Sequence, residues 1–367
     1  MKAPKLPKTI VRSSSLVTVT LITALTNFGQ ASTAPANVND GAPNPNSVII
    51  PNAPVPHAHL AELERFNRAF DQSPHSFERD VQILSMTEDA KVESSLLVKN
   101  CRVETLQLNA FDPITSKQGG LRLRLYTPTQ TQGILRQILL MPPTGGENAL
   151  DLGYADSFCS NGFQTAILEK WDGDDLKSLN LGMHDVGSIR VVAAMRHTIE
   201  FLNPDGRHPL ALFGTSVGAI SSALVMGFES RIQSAILIVG GVGMSEIIAN
   251  SHEQTLSLLR TQRMAQFGYP NITTYQQALA GTIEIDPSDQ IIETKVKAVQ
   301  MFIADQDITV PTANQIQLRD RLVSAGVAVS EIHYNTNHIG TIKKTFFSLE
   351  NRRLMLSHLN STLGAQP

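Results

Sequence analysis

The sequence is poor in charged residues and has no long run of one charge sign. Charged residues make up 17% of the 367 residues, against roughly 25% in an average protein, and the formal net charge is −3. This pattern lacks the electrostatic footprint of a nucleic-acid binder, so we expect no nucleic acid among the partners. The hydrophobic fraction of 42% allows a sizeable core and excludes disorder of the whole chain.

The sequence also lacks a hydrophobic run of the roughly 20 residues that a membrane-spanning helix needs. A basic start ends at Arg12, and the moderately apolar stretch 15–28 that follows is short and diluted by threonines. Small residues at 31–36 then offer several cleavage sites. This order is typical of a secretory signal peptide. We therefore predict that residues 1–36 are a signal peptide and that the protein is secreted or periplasmic without a stable membrane span, with a permanent anchor as the alternative.

The chain after the signal peptide is predicted to be a linker followed by one α/β domain. Residues 37–57 are rich in proline and asparagine and unlikely to form regular structure, whereas 58–367 are assigned to the domain. From about residue 96, strand patterns alternate with helical patterns, which predicts βαβ units and a mostly parallel central sheet flanked by helices.

The apolar runs differ between the two ends of this domain. The first two runs, 96–108 and 121–126, alternate apolar and polar residues and predict an antiparallel pair. The later runs are short and nearly continuous, as in parallel strands that are buried on both faces. These runs are 137–141, 164–168, 209–213, 234–239 and 299–303, and helical patterns cover 188–202, 312–324 and 346–359.

One long segment, centred on residues 244–293, interrupts the alternation. It has helical character and no clear strand, and it follows a strand of the predicted sheet. Ligands bind at the carboxyl ends of the strands in such sheets. We therefore predict a helical, lid-like insertion over an active site; the alternative is a peripheral helical pair that only enlarges the domain.

A G-x-S-x-G pattern at 214–218 carries the clearest chemical signal. It follows an apolar run and precedes a helix-compatible stretch, so a sharp strand-to-helix turn would hold Ser216 in a strained, exposed conformation. With this motif the chain resembles the α/β-hydrolases over residues 96–360. The resemblance implies the α/β-hydrolase fold, Ser216 as the nucleophile, and an acid and then a histidine later in the chain.

Both later members of such a triad have candidates in the implied order. Asp307 follows an apolar run and lies a few residues before a proline, which is where the resemblance implies the acid, so we assign Asp307 as the acid, with Asp305 as the fallback. His338 lies in a polar loop after the last predicted strand, 331–334, whereas His333 lies within that strand. We therefore assign His338 as the general base, and Asp307 would hold its imidazole in one tautomer.

Acyl transfer also needs N–H donors for the oxyanion of the tetrahedral intermediate. The resemblance implies that one donor follows the nucleophile, which is Val217, and that the other lies in the loop 142–146. The prolines of this loop have no N–H, so the second donor is Thr144 or Gly145, and we favour Thr144. The loop departs from the family's commonest pattern, which leaves the identity of this donor open.

Two cysteines complete the set of candidate residues. An oxidising compartment would permit a disulfide between Cys101 and Cys159, and the alternative is two separate buried thiols. The histidines show no zinc spacing such as H-E-x-x-H, so we expect neither a metal nor a cofactor.

These residues together predict an exported serine hydrolase that cleaves a small or lipid-like carboxylic ester through a Ser-His-Asp triad and an acyl-enzyme. A serine peptidase or an acyltransferase of the same fold would use the same residues. A non-catalytic binding member of the fold is a further alternative. The sequence makes no prediction of the acyl chain length, the leaving group or the oligomeric state.

Overall fold

The computed structural model describes residues 58–72, 81–87, 101–130, 133–143, 145–169 and 178–364. These ranges belong to one unit of the chain, Val48–Lys91 with Val98–Pro367, and the other unit, Met1–Ser47 with Val92–Leu97, lies outside the described residues. The signal peptide at 1–36 and the linker at 37–57 also lie outside them and stay predictions. No described helix combines the length and the apolar character that a membrane crossing requires.

Nine strands and eleven α-helices form the described part of the chain. The strands are β1 (Val81–Thr87), β2 (Cys101–Asp112), β3 (Lys117–Pro128), β4 (Arg136–Met141), β5 (Phe163–Leu168), β6 (Leu210–Thr215), β7 (Ile232–Ile238), β8 (Ala298–Ala304) and β9 (Ala328–Tyr334). The helices are α1 (Ala58–Gln72), α2 (Ala149–Ser160), α3 (Met183–Leu202), α4 (Val217–Val225), α5 (Met244–Asn250), α6 (Gln254–Phe267), α7 (Ile272–Ala280), α8 (Pro287–Gln290), α9 (Thr312–Ser324), α10 (His338–Phe347) and α11 (Leu349–Leu363).

All nine strands join one sheet in the order β1-β2-β3-β5-β4-β6-β7-β8-β9. The pairs from β1 to β5 are antiparallel, and those from β5 through β4 to β9 are parallel. Strands β4 and β6 are buried along their whole length, as expected for parallel strands with both faces covered. The predicted α/β class, the mostly parallel sheet and the antiparallel pair of β2 and β3 are confirmed.

The sequence analysis missed β1, the strand at the antiparallel edge. It pairs with β2, but the register shifts between Ile83 and Ser85. Such a bulge places one extra residue in a strand and breaks the alternation with period two. The sequence signal for a strand is therefore weak at 81–87.

The predicted helix at 346–359 is wrong in one respect, because the structure has two helices there. Helix α10 ends at Phe347 and α11 begins at Leu349. The side chain of Ser348 accepts a hydrogen bond from the Asn351 N–H at 3.2 Å. Serine is a favoured N-cap because it satisfies an N–H that has no carbonyl partner within the helix. Ser348 therefore starts a new helix where the apolar pattern alone runs on.

The insertion 244–293 consists of α5 to α8 and one short 3-10 turn, in agreement with its predicted helical character. Two carboxylates attach its carboxyl-terminal end. Asp286 accepts hydrogen bonds from the N–H groups of Gly243 and Met244, at the start of the insertion. Buried Asp185, in the first turn of α3, accepts the N–H groups of Glu284 and Ile285 at 3.0 and 3.2 Å. Hydrogen bonds thus join the two ends of the insertion and attach its carboxyl-terminal end to α3.

A disulfide joins Cys101, the first residue of β2, to Cys159 near the end of α2. The two Cα atoms are 6.2 Å apart and the cysteines are 58 positions apart in the sequence. Both residues are buried. The bond therefore attaches the antiparallel part of the sheet to the helix that follows β4.

Candidate active site

Ser216 occupies the turn between β6 and α4. Its backbone angles are φ 56° and ψ −122°, which is a strained conformation for any residue other than glycine. The Ser216 N–H donates to the carbonyl oxygen of Ile238 at 2.8 Å, which ties the turn to the end of β7. The serine is therefore held at the carboxyl edge of the sheet, directly before a helix N-terminus.

The two glycines of the 214–218 pattern are required by close backbone contacts. A Cβ atom on Gly214 would lie 2.5 Å from the carbonyl oxygen of Gly218 in α4. A Cβ atom on Gly218 would lie 2.1 Å from the carbonyl oxygen of Met141 at the end of β4. Neither separation is tolerable, so any larger residue would push α4 away from the sheet and displace Ser216.

The structure brings Ser216, His338 and Asp307 together in one chain of hydrogen bonds. Ser216 Oγ lies 2.9 Å from His338 Nε2, and His338 Nδ1 lies 2.6 Å from Asp307 Oδ2. The side chains of His338 and Asp307 are 7% and 0% exposed. Because the Nδ1–H group donates to the carboxylate, the Nε2 lone pair faces the serine hydroxyl. This arrangement can remove the hydroxyl proton while Oγ attacks an electrophile.

Three further donors hold the Asp307 carboxylate in place. Its Oδ1 accepts the N–H groups of Thr309 and Val310 at 2.8 and 3.1 Å. Its Oδ2 accepts Gln315 Nε2–H at 2.8 Å. The loop after β8 thus folds around the acid that it carries, and α9 contributes one side chain.

His338 is the first residue of α10, whereas the sequence analysis expected a loop there. Asn337 precedes it as the N-cap, and its side chain accepts the Gly340 N–H at 2.9 Å. An asparagine at this position satisfies one of the N–H groups that a helix start leaves unpaired. The helix start, only a few residues beyond the end of β9, gives His338 a defined direction.

The fallback acid Asp305 and the other candidate histidine, His333, pair with each other. His333 Nδ1 lies 2.7 Å from Asp305 Oδ1, and each side chain is 39% exposed. The hydrogen bond from His333 to Asp305 raises the pKa of His333. The second ring nitrogen of His333 lies 3.5 Å from Glu331. Neither residue belongs to the chain of hydrogen bonds that includes Ser216.

The structure describes two of the three candidate oxyanion donors, Val217 and Gly145. Val217 is the first residue of α4, where the N–H groups have no carbonyl partner within the helix. Gly145 follows β4 and has a φ of 97°, while Thr144 lies outside the described residues. The residue after this loop, Glu147, is held by Arg124, whose Nε donates to the Glu147 carboxylate at 3.1 Å. The loop is therefore anchored directly after the candidate donors.

The first helix of the insertion packs beside the serine. Ile247 of α5 forms an apolar cluster with Ile220 of α4 and Val310 of the acid loop. Val217 and Met244 pack against this cluster. The insertion therefore shares an apolar cluster with the helix that follows the nucleophile and with the loop that carries the acid, which is the side of the sheet that the sequence analysis predicted for it.

Solved structures with a similar fold include esterases and a peptidase. The acetyl xylan esterase from Paenibacillus sp. R4 matches with a TM-score of 0.58 and 11% identity, over 82% of this chain and 95% of the esterase. Acetyl xylan esterase 1 from Thermoanaerobacterium sp. JW/SL YS485 matches with a TM-score of 0.54 and 10% identity, over 82% and 93%. A puromycin-hydrolyzing peptidase from Mycobacterium tuberculosis matches with a TM-score of 0.50 and 13% identity. This match covers 72% of this chain but only 46% of the peptidase.

No protein-family model matches the sequence, and no curated protein matches it. The structural matches have 10% to 13% identity, so they show only that the folds are similar. The resemblance that the sequence predicts is therefore confirmed for the architecture: the chain has the α/β-hydrolase fold.

Proposed function

We propose that the protein is an exported serine hydrolase that cleaves a carboxylic ester through an acyl-enzyme. One observation carries this proposal: Ser216 Oγ, the His338 ring and the Asp307 carboxylate form an unbroken chain with separations of 2.9 and 2.6 Å. Nucleophile, base and orienting acid in this order are what acyl transfer by serine requires.

The reaction begins when Ser216 Oγ attacks the ester carbonyl carbon and His338 Nε2 takes the hydroxyl proton. The N–H of Val217 and a second donor, Thr144 or Gly145, stabilise the resulting oxyanion. The carbon–oxygen bond to the alcohol then breaks, and the imidazolium returns its proton to the leaving oxygen. Water, activated by the same His338 nitrogen, releases the acid and regenerates Ser216. Asp307 stabilises the imidazolium and keeps the ring in one tautomer.

The comparison with esterases supports an ester over a peptide as substrate. The two acetyl xylan esterases are matched over 95% and 93% of their length, whereas the peptidase is matched over 46%. Met244 and Val217, which are half-buried and pack against one apolar cluster, would present apolar surface to a small or lipid-like acyl group. Export is supported by the signal-peptide pattern at 1–36 and by the disulfide, because disulfides persist in oxidising compartments.

Hydrolysis of p-nitrophenyl esters of graded acyl length tests the proposal. We expect turnover by the mature protein and a loss of about 10⁴-fold or more in Ser216→Ala, because the nucleophile is removed. Ser361→Ala, an exposed serine in α11, is the matched control and should keep full activity. Equal activity in Ser216→Ala and the wild type would show that Ser216 is not the nucleophile.

A fluorophosphonate probe separates the remaining alternatives. Covalent labelling of Ser216 without ester turnover would leave a peptidase or an acyltransferase, and absence of labelling would favour a non-catalytic binding protein. Export is tested separately by the N-terminal sequence of protein recovered outside the cytoplasm. We expect a new N-terminus directly after one of the small residues at 31–36.

A further inference from the structure

The side-chain amide of Gln315 is completely buried against the acid of the candidate triad. Gln315 lies in α9 and is 0% exposed. Its Nε2 donates to Asp307 Oδ2 and to the carbonyl oxygen of Val310, each at 2.8 Å. Its Oε1 accepts the Ala304 N–H at 3.1 Å. One side chain therefore connects the end of β8, the acid loop and the carboxylate itself.

The surroundings of this amide allow only one orientation. A backbone N–H can only donate, so the Ala304 N–H requires the oxygen of the amide. A backbone carbonyl can only accept, so Val310 requires the nitrogen. The nitrogen therefore faces Asp307, and a flipped amide would place its oxygen against both the carbonyl and the carboxylate.

Asp307 Oδ2 consequently has two donors that approach from different elements. His338 Nδ1 comes from the start of α10 and Gln315 Nε2 comes from α9. The other oxygen, Oδ1, is held by backbone N–H groups of its own loop. Without Gln315, the only side-chain donor to Oδ2 among the described contacts would be the imidazole that Asp307 is meant to orient.

We propose that Gln315 is a positioning residue that sets the direction of the Asp307 carboxylate and, through it, of the His338 ring. This inference rests on the proposed function of the site. Side chains that support reacting groups in this way affect rate because small displacements of those groups are costly, on the order of 10²-fold per ångström. Gln315 lies behind Asp307 and does not need to touch the substrate.

The test replaces Gln315 by methionine, which has a similar length but no amide. We expect kcat for the best p-nitrophenyl ester to fall about tenfold to a hundredfold. KM should stay within about twofold, because the lost contact is to the catalytic acid and not to the substrate. A fall in kcat smaller than about threefold would overturn the proposal.

Asn314→Leu is the matched control on the same helix. Asn314 is equally buried, and its Nδ2 donates to the Val242 carbonyl oxygen at 2.9 Å, without a contact to Asp307. Both variants lose hydrogen bonds of a buried amide, three in Gln315→Met and two in Asn314→Leu, so both should lower the urea midpoint of unfolding. Only Gln315→Met should lose kcat. An equal loss of kcat in Asn314→Leu would assign the effect to general destabilisation.

The pH profile supplies a readout that a merely structural role would not change. Without the Gln315 donor, the negative charge on Asp307 Oδ2 stabilises the protonated His338 ring more strongly. The acid limb of kcat/KM should therefore move to higher pH in Gln315→Met. The acid limb of Asn314→Leu should coincide with that of the wild type. An unmoved limb in Gln315→Met would overturn the proposal.

Two further measurements keep the outcome decisive. If Gln315→Met does not fold, Gln315→Leu also removes the donor to Asp307 and leaves an apolar side chain in the buried position. Its acid limb should then move to higher pH, and an unchanged limb with unchanged kcat would overturn the proposal.

If the wild type hydrolyses no ester, the proposed function fails separately, and the rate of fluorophosphonate labelling of Ser216 still tests Gln315. We expect that rate to fall at least tenfold in Gln315→Met, and an unchanged rate would contradict the proposal.

Discussion

Two aspartate–histidine pairs lie side by side where β8 and β9 end, and only one of them faces a serine. The distance from ring nitrogen to carboxylate oxygen is 2.6 Å for His338 and Asp307 and 2.7 Å for His333 and Asp305. The first pair is buried and the second is exposed. The same hydrogen bond therefore has a different chemical setting in each pair. Its partners, its burial and the nucleophile beside it decide what it can do.

The difference between the pairs follows from where each residue lies relative to a strand end. His333 is inside β9, which is the edge strand of the sheet and consists of exposed and half-buried residues. His338 lies beyond that strand, at the start of α10. The carboxyl ends of parallel strands converge on one edge of the sheet, where ligands bind. A histidine that follows the strand therefore reaches Ser216, and one inside the strand faces solvent.

The largest expected effect comes from removing one carboxylate of each pair in turn. Asp307→Asn should lower kcat by about 10⁴-fold, because an amide nitrogen facing His338 Nδ1 favours the wrong tautomer of the ring. Asp305→Asn should leave kcat within about twofold. Ester hydrolysis at pH 8 measures both variants. A greater loss of kcat in Asp305→Asn than in Asp307→Asn would show that Asp305, and not Asp307, is the acid.

The parts of the site that the sequence predicted are those that follow buried strands. The apolar runs of β6 and β8 mark where the chain reaches the carboxyl edge, so Ser216 and Asp307 could be selected by position. The glycines at 214 and 218 could be recognised because backbone contact excludes side chains. These signals are local in the sequence, and the structure places the residues together.

The remaining parts depend on contacts between distant elements. No spacing rule predicts that Gln315 of α9 reaches Asp307, because that contact depends on how the helix lies against the acid loop. The packing of Ile247 of the insertion with Ile220 and Val310 is likewise a property of the folded chain. The preferred oxyanion donor, Thr144, lies outside the described residues and stays a prediction.

A third histidine sharpens the comparison because it is buried beside a cation. His184 Nε2 lies 3.0 Å from Arg263 Nη1 in the insertion. Burial and the nearby guanidinium lower the pKa of His184 to about 3. This folded-state pKa is below the unfolded value of about 6.5. The stability that depends on neutral His184 is therefore fully present above pH 6.5 and is lost as the pH falls toward 3.

His184→Gln should remove this acid sensitivity while keeping an acceptor for Arg263. Between pH 7 and pH 4 the wild type should lose up to about 3 kcal/mol more free energy of unfolding than the variant. Urea unfolding at the two pH values, with ester hydrolysis as a check of folding, measures the difference. Equal losses in both proteins would mean that His184 is not held in its neutral form.

The smallest effect is expected from the exposed pair and has the opposite sign. The hydrogen bond to Asp305 raises the pKa of His333, so its stabilisation is fully present below about pH 6.5 and is lost as the pH rises through the raised value. Solvent screens the exposed pair, so Asp305→Asn should cost less than about 1 kcal/mol at pH 6 in low salt. It should cost nothing measurable at pH 9 or in 1 M salt.

Urea unfolding of the wild type and Asp305→Asn under these three conditions tests that expectation. The nearby Glu331 carboxylate, 3.5 Å from the other ring nitrogen, also attracts a charged His333. Replacing Asp305 therefore removes only part of the attraction, which keeps the expected cost small. A cost above about 2 kcal/mol that persists in 1 M salt would show that exposure does not weaken this pair. The absence of a nucleophile would then be the main distinction between it and the pair that faces Ser216.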